Sequence, residues 1–429
     1  MTLSAVRGAG LPVSTGGPAF FVDSKSLTAS GDSCSLFAME PCFEINRHRQ
    51  VAPIWDDAIN SEFKSCEASS VHRSLKEYAP TPLVSLPVLA ERLGIGELLV
   101  KDESHRFGLN AFKALGSTYA IYQVIKQLLN ENSQSCPPSE RFYRDSPLPS
   151  GSFTFTTATD GNHGRGVAWV ARQLAQKAVI YMPKETVPAR IENIRNEGAE
   201  VIVVDGSYDA AVARCREDAL ARDWQILSDT GWPGYEQIPR WIQAGYLTMF
   251  EEIHKDAANQ VDVVIVQAGV GALAAAAAWY YNRIYPEPHP KLVSVEPLTA
   301  DCCMQSIQTT DGEPITIAGD PSSIMAGLNC GTPSPIAWPF VKQGYDLFVS
   351  ISDDSGREAM RSCFYPTDDD PRIISGESGA AGLAALTTLV NDPAFTPARE
   401  FLHIDSTSRV LVINTEGDTD PAGFAGIVG

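Results

Sequence analysis

The chain has 429 residues, 44% hydrophobic and 20% charged, and its 33 Lys and Arg against 52 Asp and Glu leave a formal charge of -19. At roughly 150 residues per domain, this is material for two or three domains with a large core. The acidic balance disfavours nucleic acid and anionic membrane surfaces as partners, so an anionic substrate would need a local basic or amide-lined pocket.

Residues 1–50 are polar and irregular and are expected to form an extension on the outside. Met1 and the residues up to Pro18 lack a basic region followed by a long apolar run, so no secretory signal is expected. Residues 54–78 carry a helical pattern, and Thr81 begins the compact part. A strand is predicted over 97–100 and a helix over 114–129, followed by a surface loop over 130–151, rich in Ser, Pro and Asn. Strands over 152–157, 178–183, 201–204 and 224–227 then alternate with helices over 164–176, 188–197 and 208–223. Strands over 261–266 and 292–295 flank a long Ala-rich helix, and 410–413 closes the series. Apolar strands alternating with helices predict an α/β protein with parallel sheets. No window reaches the roughly 18 uninterrupted apolar residues of a membrane span. The nine cysteines, at 34, 42, 66, 136, 215, 302, 303, 330 and 363, include no CxxC pair. They read as reduced thiols of a cytoplasmic-type compartment, with no metal site.

The stretch from Lys101 to Gly116 ends a strand, crosses a polar loop and places Lys113 at the mouth of a helix. One reading of Lys113 is a solvated first-turn lysine. The other is an amine whose pKa is lowered by the positive end of the helix dipole, which suits a lysine that must form a Schiff base.

Three further loops follow strands. Thr159-Asp160-Gly161-Asn162-His163-Gly164 reads either as a helix cap, since Asp and Asn are ordinary caps, or as a ligand-facing turn. Gln267-Ala268-Gly269-Val270-Gly271-Ala272-Leu273-Ala274 has the GxGxxA form of a dinucleotide fingerprint, with Glu296 at the end of the next strand in the place of a ribose-binding acid. A glycine-rich turn at a helix N-terminus binds any phosphate, however. Asn414-Thr415-Glu416-Gly417-Asp418-Thr419-Asp420 reads by itself as a solvated turn. Loops at the C-terminal ends of strands make a cleft of the open α/β type. A lysine together with a phosphate cradle is what pyridoxal phosphate requires.

Taken together, Asn-Ala-Phe-Lys113, Thr-Asp160-Gly-Asn162-His-Gly, Gly269-Val-Gly271, Ser375-Gly-Glu377-Ser378-Gly and Thr415-Glu-Gly-Asp-Thr-Asp resemble the fold-type II pyridoxal-phosphate enzymes, and more closely the diaminopropionate ammonia-lyases. The match runs in order from about Thr81 to Asp420 and extends to Asp229-Thr230, Trp232, Gly234-Tyr235, Ile238-Pro239 and Trp241. The resemblance implies two open α/β domains with the cofactor in the cleft between them. Residues 81–113 and 236–429 would form the large domain, 114–235 the small domain with the asparagine loop, and 1–80 an extension packed on the large domain. Lys113 would carry pyridoxal 5'-phosphate, the amides of Gly269, Val270, Gly271 and Ala272 would hold its phosphate, Asn162 would contact the ring hydroxyl, and Thr415 the ring nitrogen. Thr159, Asp160, Gly161, His163, Asp229, Glu377 and Ser378 would surround the substrate, with Lys113, Asp160 and Asp229 as the catalytic set.

Dehydratases of this fold usually carry Ser before Gly-Asn-His, whereas this chain carries Asp160. A carboxylate there can take a proton from Cα or hold a cationic amino group, and so reads as a discriminator for an amino-bearing substrate. The implied reaction is α,β-elimination on 2,3-diaminopropionate to give pyruvate and two ammonia, with Lys113 taking the Cα proton of one enantiomer and Asp160 that of the other. Rival readings are a β-replacement or serine/threonine dehydratase-type enzyme on another β-substituted amino acid, a nicotinamide dehydrogenase resting on Gly269 to Ala274 and Glu296, and a silent scaffold. The expected protein is a cytoplasmic homodimer with a small amino-acid substrate and no nucleic-acid or membrane partner.

Overall fold

The computed structural model describes residues 40–429 other than Ala52, Ile54, Pro147, Ala258 and Asn259. The outer extension expected over residues 1–50 therefore lies mostly outside the described residues. The described residues build eleven strands: β1 (Cys42–Ile45), β2 (Leu83–Ser85), β3 (Glu97–Asp102), β4 (Thr154–Ala158), β5 (Lys177–Pro183), β6 (Glu200–Val204), β7 (Gln225–Ile226), β8 (Val263–Gln267), β9 (Lys291–Pro297), β10 (Leu347–Ile351) and β11 (Arg409–Asn414). They form a seven-stranded sheet ordered β1-β10-β9-β8-β11-β3-β2 and a four-stranded sheet ordered β6-β5-β4-β7. All pairs are parallel except the two at the ends of the large sheet, β1 with β10 and β2 with β3.

The central strands explain the layering. β8, Val-Val-Ile-Val-Gln, and β10 are buried at every position, and β11 at all but its first, as strands covered on both faces must be. The helix Ala272–Arg283 is buried from Ala272 to Asn282, so it has no polar face to offer solvent. Its run of alanines keeps its radius small, and the helix Trp338–Gly344 packs against it. The helix Ala114–Glu131 ties the two sheets together by packing on Asn162–Gln173 from one side and on Gln237–Gly245 from the other.

Three details differ from the sequence reading. The helix predicted from 164 begins at Asn162, which puts Asn162 and His163 in its first turn. The region 130–151 is pinned rather than simply superficial: Phe142 is fully buried, and the Tyr143 hydroxyl donates to the Thr118 carbonyl at 2.8 Å. Strands β1, β2 and β10 add to the expected set. Loops leaving the C-terminal ends of β3, β4, β7, β8 and β11 carry the residues considered next.

Candidate active site

Lys113 follows β3 through a short 3-10 turn, Glu103–Gly108, in which Asp102 accepts from the Ser104 amide at 3.1 Å. The loop is fastened to the segment after β11: Phe112 N donates to the Thr415 carbonyl at 3.1 Å, Gly417 N donates to the Asn110 carbonyl at 2.9 Å, and Ala111 bridges Glu416. A buried charge cluster anchors its other side. Lys101 Nζ donates to Glu252 Oε2 (2.8 Å) and to the Thr81 carbonyl (2.7 Å). Arg106 spans Glu103 (2.7 and 2.8 Å) and Glu252 (2.7 and 2.9 Å). Lys101, Glu103 and Arg106 are wholly inaccessible, so each charge depends on its partners.

Lys113 Nζ lies 2.7 Å from Asp229 Oδ2. The helix dipole led us to expect a lowered amine pKa, and the structure reverses this. Burial does act against the charged amine, but the Asp229 carboxylate outweighs it and holds the pKa well above that of an ordinary lysine. Magnitudes explain the outcome. A helix terminus contributes about 1 kcal/mol, whereas an ion pair at this separation is worth several even at an effective dielectric of about 20. Asp229 in turn is held well below the usual carboxylate range: burial opposes this, and the positive charge of Lys113 prevails. The turn that presents Asp229 is set by Tyr235, whose hydroxyl accepts from Ser228 N and donates to the Ile226 carbonyl, both at 2.9 Å. Trp232 stacks on the Tyr235 ring with centroids 4.1 Å apart.

In the asparagine loop, Thr159 Oγ1 accepts from the amides of Gly161 (3.0 Å) and Gly164 (3.2 Å), so this hydroxyl caps the loop from inside. His163 Nε2 meets the Leu227 carbonyl at 2.7 Å, which fixes the proton on Nε2 and ties the loop to the Asp229 segment. Its Nδ1 is buried without a partner. Asn162 Nδ2 donates to Glu416 Oε2. Burial raises the Asp160 carboxyl pKa, against the charges of Arg190 and Lys113.

Gly271 caps the helix Ala272–Arg283 at φ +93, a conformation that favours glycine, and no side chain caps this helix end. Its first amides are therefore available to an anion. Gln267 Nε2 donates to Thr415 Oγ1 at 3.1 Å, which leaves the Thr415 proton to donate to an acceptor such as a neutral ring nitrogen. A further polar group, the Tyr246 hydroxyl, is buried without a partner, and its charge coupling is to Lys113 and Asp229. An amine, an uncapped helix N-terminus, a free hydroxyl proton and unpaired buried polar atoms together fit pyridoxal phosphate.

Glu296 corrects the dinucleotide reading. It is 1% exposed, and its two oxygens accept from the amides of Cys303 and Met304, both at 2.8 Å, so it caps the helix Cys302–Gln308 and cannot reach a ribose. Burial pushes its pKa up to about 8 despite those two amides. The thiols of Cys302 and Cys303 lie with it in one buried group, their ligand atoms within 4.8 Å of one another, a proximity that the adjacent cysteines did not reveal in sequence. The 414–420 segment is likewise no solvated turn, because Glu416 is 2% exposed. Its Oε1 accepts from Ser378 N at 3.1 Å, while Ser378 Oγ accepts from Gly327 N at 3.1 Å. Burial, and then the charge of Glu416, push the Glu377 carboxyl up to about 7. The structure thus brings Lys113, Asp160, Asp229, Asn162 and Thr415 to one place, and turns Thr159, His163 and Ser378 toward holding the loops.

Glu416, Gln267, Tyr246 and Arg190 join the site without having been singled out. Glu416 and Gln267 had local signals, their places inside the Thr415 motif and at the head of the glycine-rich loop; Tyr246 and Arg190 had none.

Residues 75–416 match the family model described as pyridoxal-phosphate dependent enzyme. The chain is 42% identical over 374 residues to the diaminopropionate ammonia-lyase of Salmonella typhimurium, covering 84% of this chain and 91% of that protein. It is similar to the holo diaminopropionate ammonia-lyase of Escherichia coli with a TM-score of 0.82 at 38% identity, covering 92% of this chain and 98% of that one. That enzyme has also been solved with an aminoacrylate-PLP azomethine reaction intermediate (TM-score 0.80). The threonine deaminase of Solanum lycopersicum, at 21% identity and a TM-score of 0.68, shares the fold. With its fold-type II architecture, its matched motifs and this extent of identity, the chain belongs to the pyridoxal-phosphate dependent enzymes and, among them, to the diaminopropionate ammonia-lyase family.

Proposed function

We propose that the protein is a carbon-nitrogen lyase that eliminates ammonia from 2,3-diaminopropionate, and that the enamine product hydrolyses to pyruvate and a second ammonia. The observation that carries this reading is the Asp229 carboxylate holding a primary alkylammonium, that of Lys113, at 2.7 Å with Asp160 beside it. A site shaped to hold an ammonium suits a substrate with an amino group at Cβ, and a neutral hydroxyl there would leave the carboxylate without its counter-charge.

Bound pyridoxal phosphate supplies an electron sink for the electrons left at Cα. Lys113 would hold it covalently, the amides of Gly269, Val270, Gly271 and Ala272 would receive its phosphate, Asn162 its ring hydroxyl and Thr415 its ring nitrogen. A neutral hydroxyl as partner would favour an unprotonated ring nitrogen. Lys113 accepts the Cα proton of one enantiomer and Asp160 that of the other. Asp229 binds the distal ammonium. Thr159, Gly161, His163, Glu377 and Ser378 line the substrate space or shape its walls. Residues 81–113 with 236–429 and residues 114–235 serve as the two domains around the cleft, a division supported by the two sheets, with residues 1–80 as an extension of the large one. We place the enzyme in the cytoplasm as a homodimer. No helix among the described residues is long and apolar enough to cross a membrane.

The test is product stoichiometry. Purified holoenzyme given D- or L-2,3-diaminopropionate is expected to release pyruvate and ammonia in a ratio of one to two. A substituted amino acid appearing in place of pyruvate when a thiol or amine is added would make it a β-replacement enzyme.

A further inference from the structure

Charge in the site is unevenly shared. The Lys113 ammonium is committed to Asp229 at 2.7 Å. Asp160 has no such partner: among the described residues no side chain donates a hydrogen bond to its carboxylate, and only its own backbone amide does. A half-buried carboxylate facing a cleft is pushed toward its neutral form unless it finds a counter-charge, and a protonated Asp160 cannot act as a base.

The geometry supplies a candidate. Helix Pro188–Asn196 starts with proline in its first turn and carries Arg190 on that turn. Arg190 lies along the asparagine loop, with Nη1 3.5 Å from the Asp160 carbonyl oxygen. Its stem covers Gly161 so closely that a Cβ there would sit 3.0 Å from Arg190 Cδ. Its Nε is buried without a partner, so the guanidinium keeps donor capacity inside the site. Two other basic residues of this region, Arg165 and Arg172, are both spent on Glu197.

We propose that Arg190 is a positioning residue of the active site: its guanidinium, laid along the turn at Asp160 and Gly161, is the counter-charge that keeps the half-buried Asp160 carboxylate ionised and in place to accept a proton. This rests on the reading of Asp160 as a base. The groups whose charges reach Asp160 are Arg190, Lys113 and Asp229, with His163, Tyr208 and Cys330 at the periphery. Burial is the largest influence and favours the neutral acid. Arg190 is the strongest opposing charge, ahead of Lys113, and Asp229 works the other way.

The experiment uses holoenzyme variants Arg190→Gln, Arg190→Lys and Asp160→Asn. Two quantities are read: the pH profile of kcat/KM on the diaminopropionate enantiomer that Asp160→Asn slows most, and the Asp160 carboxyl band in infrared difference spectra against Asp160→Asn. Removing the positive charge should move the acidic limb, and the infrared titration with it, upward by about 1–3 pH units, the usual reach of one neighbouring opposite charge. Arg190→Lys should leave both near their wild-type positions. A uniform loss of rate in Arg190→Gln with an unmoved limb, or a lysine variant that shifts as far as the glutamine one, would overturn the proposal. If the glutamine variant does not fold, the wild-type infrared titration decides: Asp160 ionised at neutral pH agrees, and Asp160 protonated there refutes. Failure of the base assignment is separately visible as an Asp160→Asn enzyme that turns over both enantiomers at wild-type rates.

Discussion

Two clusters of buried charge flank the Lys113 loop, and they are built on opposite plans. On one side, Lys101 and Arg106 face Glu103 and Glu252, two cations to two carboxylates, with Thr81 and Tyr78 taking up further hydrogen bonds. On the other side, Lys113 and Asp229 form one short pair, and among the described residues Asp160 has no side-chain donor and the buried His163 Nδ1, Tyr246 Oη and Arg190 Nε have no partners. Desolvation makes each of those open atoms unfavourable, by about 1–3 kcal/mol apiece. A fold that saturates one cluster and leaves its neighbour open has placed its unspent hydrogen bonds where we propose that cofactor and substrate bind. The contrast separates charged groups that hold structure, 0–4% exposed, from the more accessible Lys113 and Asp229, 21% and 13% exposed, to which we assign the chemistry.

The comparison can be broken by variants on either side. The largest effect is expected from Lys113→Ala, which should abolish turnover and covalent cofactor retention while leaving the thermal unfolding of the protein little changed. Borohydride reduction with peptide mapping checks it, and a reduced cofactor on another lysine would refute the assignment. Asp160→Asn should keep the cofactor and lose ~10²–10⁴-fold in turnover of one enantiomer, the scale of a general base, with a smaller loss on the other. Equal losses on both enantiomers and on serine would remove its role as a stereoselective base.

In the saturated cluster the pattern should invert. Glu252→Ala strands the buried Lys101 ammonium, takes from Arg106 one of its two carboxylates, and should cost about 3–5 kcal/mol in chemical denaturation. The folded fraction should retain near-normal kcat, since the cluster touches no reacting atom. A variant of unchanged stability would contradict the structural role.

The smallest effect concerns Glu296, a carboxyl with amide donors but no counter-charge. Its pKa rises from an ordinary 4.5 to about 8 on folding, because of burial. Between those values the unfolded chain has released this proton and the folded chain still holds it, so the stabilisation is complete below about pH 4.5 and is lost as pH rises toward 8. The slope is at most ~1.4 kcal/mol per pH unit, and Glu296→Gln should remove it. Denaturation midpoints across that window measure it, and an unchanged slope in the variant would assign it to other groups.

The pieces legible in sequence were local ones. A strand, a polar turn and a helix start signal themselves within about ten residues, and so Lys113, the asparagine loop and the Gly269 turn could be read directly. The pieces that were not legible depend on residues far apart in the chain. Asn162 and Glu416 are 254 positions apart, and Lys101 and Glu252 are 151. The Lys113 pKa shows the same limit: the helix dipole is visible locally, while the carboxylate that overrides it lies 116 residues on. Strand β10, Leu-Phe-Val-Ser-Ile, was readable by composition and was nevertheless not anticipated. β1 and β2, of four and three residues, are edge pieces too short for a periodic signal. Glu416 read as solvent-facing because clustered carboxylates usually are. Here Asn162 and Ser378 donate to it inside the cleft.

The central claim is that the open cluster selects an amino group at Cβ. The most direct measurement is the ratio of kcat/KM for 2,3-diaminopropionate to that for serine, in the wild-type holoenzyme and in Asp229→Asn. The wild type should favour diaminopropionate, and the variant should lose roughly 10–100-fold of that preference, the worth of one charge-assisted hydrogen bond. A wild-type enzyme that prefers serine to both enantiomers of diaminopropionate would contradict the ammonia-lyase reading while leaving the fold and cofactor in place.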